Sequence, residues 1–181
     1  LGLGPEGDCR LVRSLREAAR EGEPLRLTLR ELEAVGSLKL ESQEVFSCEN
    51  PAVVTAAAER LGPRCAPLVC VEGVPSTAAL RLLRYLRDAG VLIRAHADFD
   101  WGGVTVMNQL IQLVDAEPWR FGAPEYLQLL RMTRSVVPLS GRPLSTTWDL
   151  QLGESMAAKG LAVYEEQQME QLLSDLEMDR Q

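Results

Sequence analysis

The pattern of apolar and polar positions changes near residue 41. The preceding residues are rich in charge and in helix formers, and two short helices are predicted there. Thr28 and Glu31 have the spacing of a capping box, in which two side chains satisfy N–H groups at the start of a helix. The sequence therefore predicts that residues 1–40 are a helical linker or the end of a preceding module, and that residues 41–181 form a separate domain.

Beyond residue 41, short apolar runs alternate with helical patterns. The predicted elements are strand 44–49, helix 51–61, strand 67–71, a helix between Pro75 and Gly90, strand 91–97 and helix 103–114. The pattern is weaker beyond Pro118, where strands at 119–121 and 161–164 and helices at 125–132, 149–159 and 165–176 are predicted. Strands joined by helices need crossovers of one hand, which produce a parallel sheet. The predicted fold is α/β: a mainly parallel, Rossmann-like sheet flanked by helices, with a short helical N-terminal segment.

Acidic residues follow each of the three predicted core strands. Glu49 follows the first strand, Glu72 the second, and Asp98 and Asp100 the third. Ligands of an open parallel sheet bind beyond the carboxyl ends of its strands. In an extended segment, residues i and i+2 point to the same side, so the two aspartates would repel each other unless a cation lay between them. The sequence therefore predicts a site for a hard divalent cation such as Mg²⁺, which also binds phosphate oxygens.

A Glu after one strand and an Asp-x-Asp after another is the layout of the Toprim domain, which occurs in topoisomerases, bacterial primases and several nucleases. The chain resembles most closely the Toprim half of the nuclease subunit of Wadjet-type anti-plasmid systems, and more distantly the Toprim domain of type IIB topoisomerase A subunits. The matching motifs lie between about residues 26 and 178: Glu49-Asn50-Pro51, Pro67 to Ser76, His96 to Gly103, Glu117 to Arg120, Pro138 to Pro143, Thr147 to Asp149 and Tyr164 to Glu166. In one departure from the family pattern, Ala97 stands where a glycine is expected.

The resemblance implies metal-dependent cleavage of plasmid DNA by phosphodiester hydrolysis. Asp98 and Asp100 would hold Mg²⁺ or Mn²⁺, and Glu49 would bind metal or orient water. Glu166 is a further candidate metal ligand; the alternative is an acidic first turn of the last helix. The partners implied are a condensin-like ATPase complex that extrudes loops of DNA, and a second copy of the chain. The homodimer would form through an N-terminal DNA-binding and dimerisation module that these residues do not include.

Four further side chains have two interpretations each. His96 is a general base or a contact to the scissile phosphate, or else a strand histidine hydrogen-bonded behind the carboxylates. Glu72 supports the metal ligands from behind, or it is a turn residue. Arg120 and Arg142 hold the DNA backbone, or they form surface salt bridges. The sequence leaves each of these pairs open.

Charge and composition limit the classes of function. The net charge of −7 argues against a tight, non-specific DNA-binding protein, because phosphate contacts need clustered Lys and Arg. No apolar run approaches the roughly 18 residues of a membrane span, and no secretory signal is present. The four cysteines have no CxxC spacing, which favours reduced thiols. We therefore expect a cytoplasmic protein without membrane contact and, because Leu1 is not an initiator Met, a fragment or a processed chain.

Two other classes of protein remain open. A phosphatase of the haloacid-dehalogenase type also places Asp-x-Asp after a strand, but it usually carries Thr or Val where this chain has Gly102, and it gives Glu49 no role. A Toprim-fold scaffold that docks partners without catalysis is favoured by Ala97 and by the acidic charge. The retained acids Glu49, Asp98 and Asp100 argue against a scaffold, since adjacent carboxylates without a cation repel each other.

Overall fold

Parallel strands form the centre of the structure, a computed structural model that describes residues 10–35, 42–133 and 137–178. The strands are β1 (Glu44–Cys48), β2 (Leu68–Cys70), β3 (Leu92–Ala95) and β4 (Glu117–Pro118). They lie in the order β2-β1-β3-β4, and every neighbouring pair is parallel. The predicted α/β fold with a mainly parallel sheet is confirmed, and the arrangement is consistent with a Toprim-like or other Rossmann-like fold.

Helices connect and flank these strands. They are α1 (Arg10–Glu21), α2 (Leu29–Val35), α3 (Pro51–Arg60), α4 (Thr77–Asp88), α5 (Trp101–Val114), α6 (Ala123–Met132), α7 (Leu150–Lys159) and α8 (Met169–Leu176). Two 3₁₀ turns lie at Gly62–Arg64 and Glu165–Gln168, and β5 (Val137–Pro138) pairs antiparallel with β6 (Leu161–Ala162). The helical N-terminal segment is therefore confirmed as well.

Several sequence-based elements differ from the structure. The strand predicted at 119–121 is wrong: β4 precedes it, and the left-handed φ of +48° at Arg120 turns the chain away from the sheet. The helix predicted at 165–176 begins as the 3₁₀ turn at Glu165–Gln168 and becomes α8 only at Met169. The third predicted strand is also shorter, because β3 ends at Ala95.

Helix starts agree with the local signals in the sequence. The Thr28 N–H donates to Glu31 Oε2 over 2.9 Å, and the Glu31 N–H donates to Thr28 Oγ1 over 3.3 Å, which confirms the capping box. At α3, the side chain of Asn50 accepts a hydrogen bond from the Ala52 N–H over 2.9 Å, and Pro51 occupies the first helical position. The chain therefore turns sharply into α3 directly after Glu49.

The sheet is buried on both faces, as expected for parallel strands. Val45 of β1 faces the larger apolar cluster, which α4 and α5 cover. The next residue, Phe46, faces the opposite cluster with residues of α3 and α8. Successive side chains of β1 thus point to opposite faces of the sheet, and a layer of helices covers each face. The carboxyl ends of the strands are the edge at which such sheets bind ligands.

The N-terminal helices pack on this core: α2 contacts α4, and α1 contacts the Gly62–Arg64 turn. Gly22, with a φ of +75°, lies so close to that turn that a Cβ would be 2.4 Å from the carbonyl carbon of Gly62. The domain boundary at residue 40 falls outside the described residues, so the two-domain division stays a prediction. Among the described helices, none has the length and apolar character that a membrane crossing needs.

Candidate functional site

Glu49 and Asp98 meet at the carboxyl edge of the sheet. They follow β1 and β3, which are neighbouring strands of the sheet. Glu44 of β1 pairs with Leu92 of β3 at one end of the register, and Ser47 pairs with Ala95 at the other. The backbone N–H of Asp98 donates to Glu49 Oε2 over 3.2 Å. Adjacent parallel strands therefore bring these two predicted site residues into direct contact.

Asp98 and Asp100 are separated by a tight turn. The Asp100 N–H donates to the Asp98 carbonyl oxygen over 2.8 Å, so the segment is turned at Phe99 and the expected extended geometry is wrong. Asp100 instead caps α5, where its Oδ1 accepts the Gly103 N–H over 2.7 Å. Asp100 still lies close enough to Glu49 and Asp98 for its charge to act on both carboxyl groups.

The residue between the two aspartates is anchored in the core. Phe99 is fully buried and stacks on Phe121, with ring centroids 4.6 Å apart. Its backbone exchanges two hydrogen bonds with Val163, one of 2.8 Å from the Phe99 N–H and one of 3.3 Å to the Phe99 carbonyl oxygen. The Asp-x-Asp segment is therefore fixed by packing on one side and by the chain after β6 on the other.

That later chain contributes two more acids. Glu165 is fully buried, and its backbone N–H donates to Asp98 Oδ1 over 2.7 Å. Its carboxylate accepts the backbone N–H of Glu49 over 3.2 Å and that of Asn50 over 2.5 Å. Glu166 is exposed, and its carboxylate accepts the Asn50 side-chain amide over 2.7 Å. We call the five residues Glu49, Asp98, Asp100, Glu165 and Glu166 the acidic edge.

Glu165 was missed as a site residue, although its neighbour Glu166 was a candidate. The signal was present: an acid directly after a short apolar strand is also the pattern of Glu49. Sequence spacing does not show which of the two neighbours, Glu165 or Glu166, is buried at the edge of the sheet. The 3₁₀ turn that begins at Glu165 determines this.

Burial and mutual repulsion raise the pKa values of three of these acids. Burial raises the pKa of Glu49 to about 7, and the charges of Asp98 and Asp100 add to the effect. Burial likewise raises the pKa of Asp98 to about 6 and that of Glu165 to about 9. A cation bound near these carboxyl groups would stabilise their ionised forms.

The donor chemistry of the acidic edge fits a hard divalent cation. Carboxylate oxygens are the ligands that Mg²⁺ and Mn²⁺ prefer, and a hydrogen bond to one oxygen leaves the other oxygen of the same carboxylate for a cation. Within residues 10–35, 42–133 and 137–178, however, no group of three or more His, Cys, Asp or Glu side chains is already arranged to hold a metal ion. Each acid turns at least one oxygen to an N–H group, so ligand atoms would have to reorient on binding.

A comparison of the sequence with protein families decides its family. The family described as "Protein of unknown function C-terminus (DUF2399)" matches residues 25–176. The chain belongs to the DUF2399 family. The match includes the whole acidic edge and begins before the predicted domain boundary at residue 40. A comparison with curated proteins finds no match.

His96 lies behind the acidic edge of this DUF2399 chain, with none of its surface exposed. Its Nδ1 lies 2.8 Å from the carbonyl oxygen of Trp119, which can only accept, so Nδ1 carries the proton. Its Nε2 accepts from the side-chain amide of Gln168. Burial lowers the pKa of His96 to about 4, and the ring is neutral. Both nitrogens are occupied, so the geometry places His96 as a support for the end of β3 rather than within reach of a substrate.

Glu72 is turned away from the other acids. It sits in the turn after β2 with a φ of +56°, and its carboxylate forms an ion pair with Arg26. Among the described contacts, the link from this turn to the acidic edge is the Gly73 N–H, which donates to the Glu49 carbonyl oxygen over 3.3 Å. The structure therefore does not bring the Glu72 carboxylate together with the predicted metal ligands.

The two candidate DNA-binding arginines are in different surroundings. Arg120 donates through Nε and Nη2 to the carboxylate of Asp175, with Nη2 2.6 Å from Oδ1. Arg142 is exposed in the DUF2399 chain. The preceding Gly141 packs near Trp101, the first residue of α5, since a Cβ at Gly141 would lie 3.4 Å from Trp101 Cδ1. Arg142 therefore sits beside the helix that Asp100 caps, whereas Arg120 is engaged in a two-point ion pair.

Two small residues next to the aspartates differ in what they tolerate. Ala97 is fully buried and its methyl group belongs to the larger apolar cluster, so alanine is accommodated where a glycine was expected. A Cβ at Gly103 would lie 1.9 Å from the carbonyl oxygen of Asp98. The close backbone approach that this site requires is therefore at Gly103.

Proposed function

We propose that this DUF2399 chain is the catalytic domain of a metal-dependent DNA endonuclease, with Mg²⁺ or Mn²⁺ held by Glu49, Asp98 and Asp100. The observation that carries the proposal is the meeting of these acids at the carboxyl edge of a parallel sheet, where burial raises the pKa values of Glu49 and Asp98. Such acids are costly without a cation, and their oxygens suit a hard divalent ion. Glu166 is the further candidate ligand.

Each residue has a role that follows from its contacts. A bound divalent ion would stabilise the attacking and leaving oxygens of a phosphodiester during hydrolysis. Asp98 presents a carboxylate that the Glu165 N–H orients, and Glu49 lies against the Asp98 backbone. One oxygen of Asp100 caps α5, so the other oxygen would be the one to bind the cation. His96 supports the end of β3 as a neutral hydrogen-bonded residue.

The proposed setting is a condensin-like anti-plasmid complex, in which this chain is the nuclease subunit. The ordered series of motifs from Glu49-Asn50-Pro51 to Tyr164-Glu165-Glu166 supports this setting, because it resembles the Toprim half of Wadjet-type nuclease subunits. DNA, the ATPase subunits and a second copy of the nuclease are the partners that go with it. The cytoplasm is the compartment in which such a complex would meet plasmids.

A plasmid-nicking assay tests the proposed chemistry. The variants are Asp98→Asn and Asp100→Asn, which keep the shape of the aspartates and one hydrogen-bond acceptor but remove the charge. In the full-length protein, we expect nicking with Mg²⁺ or Mn²⁺, none with a chelator, and a loss of about 100-fold or more in each variant. Glu170→Gln is the matched control, because Glu170 is an exposed acid on α8 that pairs with Arg60. Wild-type rates in either aspartate variant would refute the assignment.

A non-catalytic scaffold is the second candidate, and one observation favours it: in the described part of the chain, no ready-made metal group exists. A scaffold would bind neither Mn²⁺ nor Mg²⁺ and would not nick DNA even in the assembled complex. Titration calorimetry with Mn²⁺ separates the two candidates. A phosphatase mechanism would need Asp98 as a nucleophile, and trapping a phosphoaspartate on Asp98 is its test.

A further inference from the structure

Residues 163–168, which we call the closing segment, contact both turns that carry the predicted metal ligands. Val163 pairs with Phe99 in the turn after β3. Glu165 reaches the same turn through its N–H, which donates to Asp98 Oδ1, and reaches the turn after β1 through its carboxylate. A single residue therefore joins the backbone of Glu49 to the side chain of Asp98.

Glu165 occupies an unusual position for an acid. None of its surface is exposed, and burying a carboxylate is costly unless hydrogen bonds compensate it. Both of its oxygens accept backbone N–H groups at the start of α3, from Glu49 and Asn50. Asn50 is the N-cap of α3, and its N–H is among those that a helix start leaves without a partner in the helix itself. The acid thus fixes the chain at the residue where Glu49 leaves the sheet.

We infer that Glu165 is a positioning residue for the divalent-cation site, which holds Glu49 and Asp98 at a fixed spacing without binding the cation itself. The inference rests on the proposed function. Both Glu165 oxygens face N–H donors and the side chain is sealed from solvent, so it lacks the open position that a ligand needs. Without Glu165, the Glu49 backbone loses an acceptor and the start of α3 is free to move relative to Asp98.

The test compares Mn²⁺ binding by the chain and its variants, measured by titration calorimetry. Glu165→Gln keeps the size of the side chain but provides one acceptor for two N–H donors, and Glu165→Ala provides none. We expect the dissociation constant for Mn²⁺ to rise by about 10-fold in E165Q and further in E165A, as for other residues that orient metal ligands. Glu170→Gln, on the same C-terminal part of the chain, should bind as the wild type does.

A second measurement separates positioning from ligation. Nicking by E165Q should be restored at raised Mn²⁺ concentration, with the KM for DNA unchanged. Nicking by Asp98→Asn should not be restored, because a ligand is missing there. Thermal denaturation without metal should show that E165Q is folded. If E165A does not fold, the Mn²⁺ affinity of the isosteric E165Q alone tests the positioning role.

The outcomes distinguish this inference from the proposed function. Wild-type Mn²⁺ affinity in folded E165Q and E165A, beside a wild type that binds and cuts, would overturn the positioning role alone. A wild-type chain that binds no divalent cation and does not cut in the full-length protein would overturn the proposed function and this inference together. Loss of nicking in E165Q that no Mn²⁺ concentration restores would also overturn positioning, since it would make Glu165 a direct participant.

Discussion

At the acidic edge, individual carboxylates serve the backbone as well as the site. Asp100 caps α5 with one oxygen, and Asp98 accepts the Glu165 N–H with one oxygen. Each hydrogen bond restrains one oxygen of its carboxylate, so part of the site is ordered before any ligand arrives. The remaining oxygens would still have to reorient for a shared cation, because the described acids do not yet form a metal group.

The raised pKa values predict how stability depends on pH. In the folded chain, Glu49, Asp98 and Glu165 hold protons up to about pH 7, 6 and 9, above their values in the unfolded chain. Their contribution to stability is therefore fully present below about pH 4 and is lost as pH rises from there through these values. His96 acts oppositely, because its pKa of about 4 removes stability as pH falls from about 6.5.

We therefore expect stability without metal to be greatest at about pH 4–5 and to fall toward pH 9, because the contributions of three acids outweigh that of one histidine. Added Mn²⁺ should stabilise the chain increasingly as pH rises, since the cation favours the ionised carboxylates. Thermal denaturation with a chelator and with Mn²⁺, across pH 4 to 9, measures both effects. If stability in the presence of the chelator does not change between pH 5 and 9, the expected fall with pH is wrong. If Mn²⁺ stabilises the chain equally at all pH values, the expected effect of the cation is wrong.

Ser47 gives a prediction on stability that does not depend on function. Its hydroxyl is buried in β1 and has no hydrogen-bond partner among the described residues. Ser47→Ala removes a buried hydroxyl that no hydrogen bond compensates for its lost hydration. We therefore expect the free energy of unfolding to rise by about 1 kcal/mol. Ser76→Ala is the contrast, since Ser76 caps α4 through the Ala79 N–H and its loss should cost about 1 kcal/mol. Denaturant unfolding of both variants measures the difference, and destabilisation by Ser47→Ala would show that the hydroxyl has a partner in solution.

At the scale of elements, the start of α5 is the most constrained part of the site. A Cβ at Gly103 would lie 1.9 Å from the Asp98 carbonyl oxygen, whereas one at Gly102 would lie 3.0 Å from an Asp100 side-chain oxygen. We expect Gly103→Ala to displace Asp98, with a large loss of stability and of Mn²⁺ affinity. Gly102→Ala is the neighbouring control for stability and should destabilise much less, because the atom it meets belongs to a side chain rather than to the backbone. Similar melting temperatures for the two variants would contradict this.

Local signals made the elements predictable, and long-range contacts made part of the site unpredictable. Asn50-Pro51 predicts the start of α3 because a cap and a proline act within one turn of helix. Glu49 and Asp98 could be predicted to meet because strands of a parallel sheet end at the same edge. The contact between Glu165 and Glu49 could not be predicted, since the two residues lie 116 positions apart and no local pattern encodes that pairing. The tight turn at Phe99 was missed as well, and Phe99 pairs there with Val163, a residue of a distant segment.

At the scale of the whole molecule, the charge distribution opposes DNA binding by this chain alone. The net charge is −7, and several basic residues are already paired with acids of the C-terminal part: Arg60 with Glu170, Arg64 with Glu177, and Arg120 with Asp175. Pairing of this kind leaves little concentrated positive charge for phosphates. In the proposed function, the acidic edge would supply the chemistry, yet it would repel the DNA backbone until a cation is bound.

We therefore expect the chain alone to bind duplex DNA poorly at physiological salt, with a strong dependence on salt, and to cut it slowly or not at all. The full-length protein or the assembled complex should cut efficiently, because basic surface elsewhere would supply the affinity. Anisotropy titrations across salt, run beside nicking assays of the chain and of the full-length protein, measure this. Sub-micromolar, salt-insensitive binding by the chain would show that its own surface suffices.

The pairing of Phe99 with Val163 also determines when the site can exist. Synthesis proceeds from the N-terminus, so Glu49, Asp98 and Asp100 leave the ribosome well before the closing segment that orients them. During that interval the nascent chain carries these acids without the Glu165 N–H that orients Asp98 and without the pairing of Val163. A translation product that stops before residue 163 would contain every predicted metal ligand except Glu166, but not these contacts. The order of synthesis therefore makes the orientation of Asp98 one of the last features of the site to form.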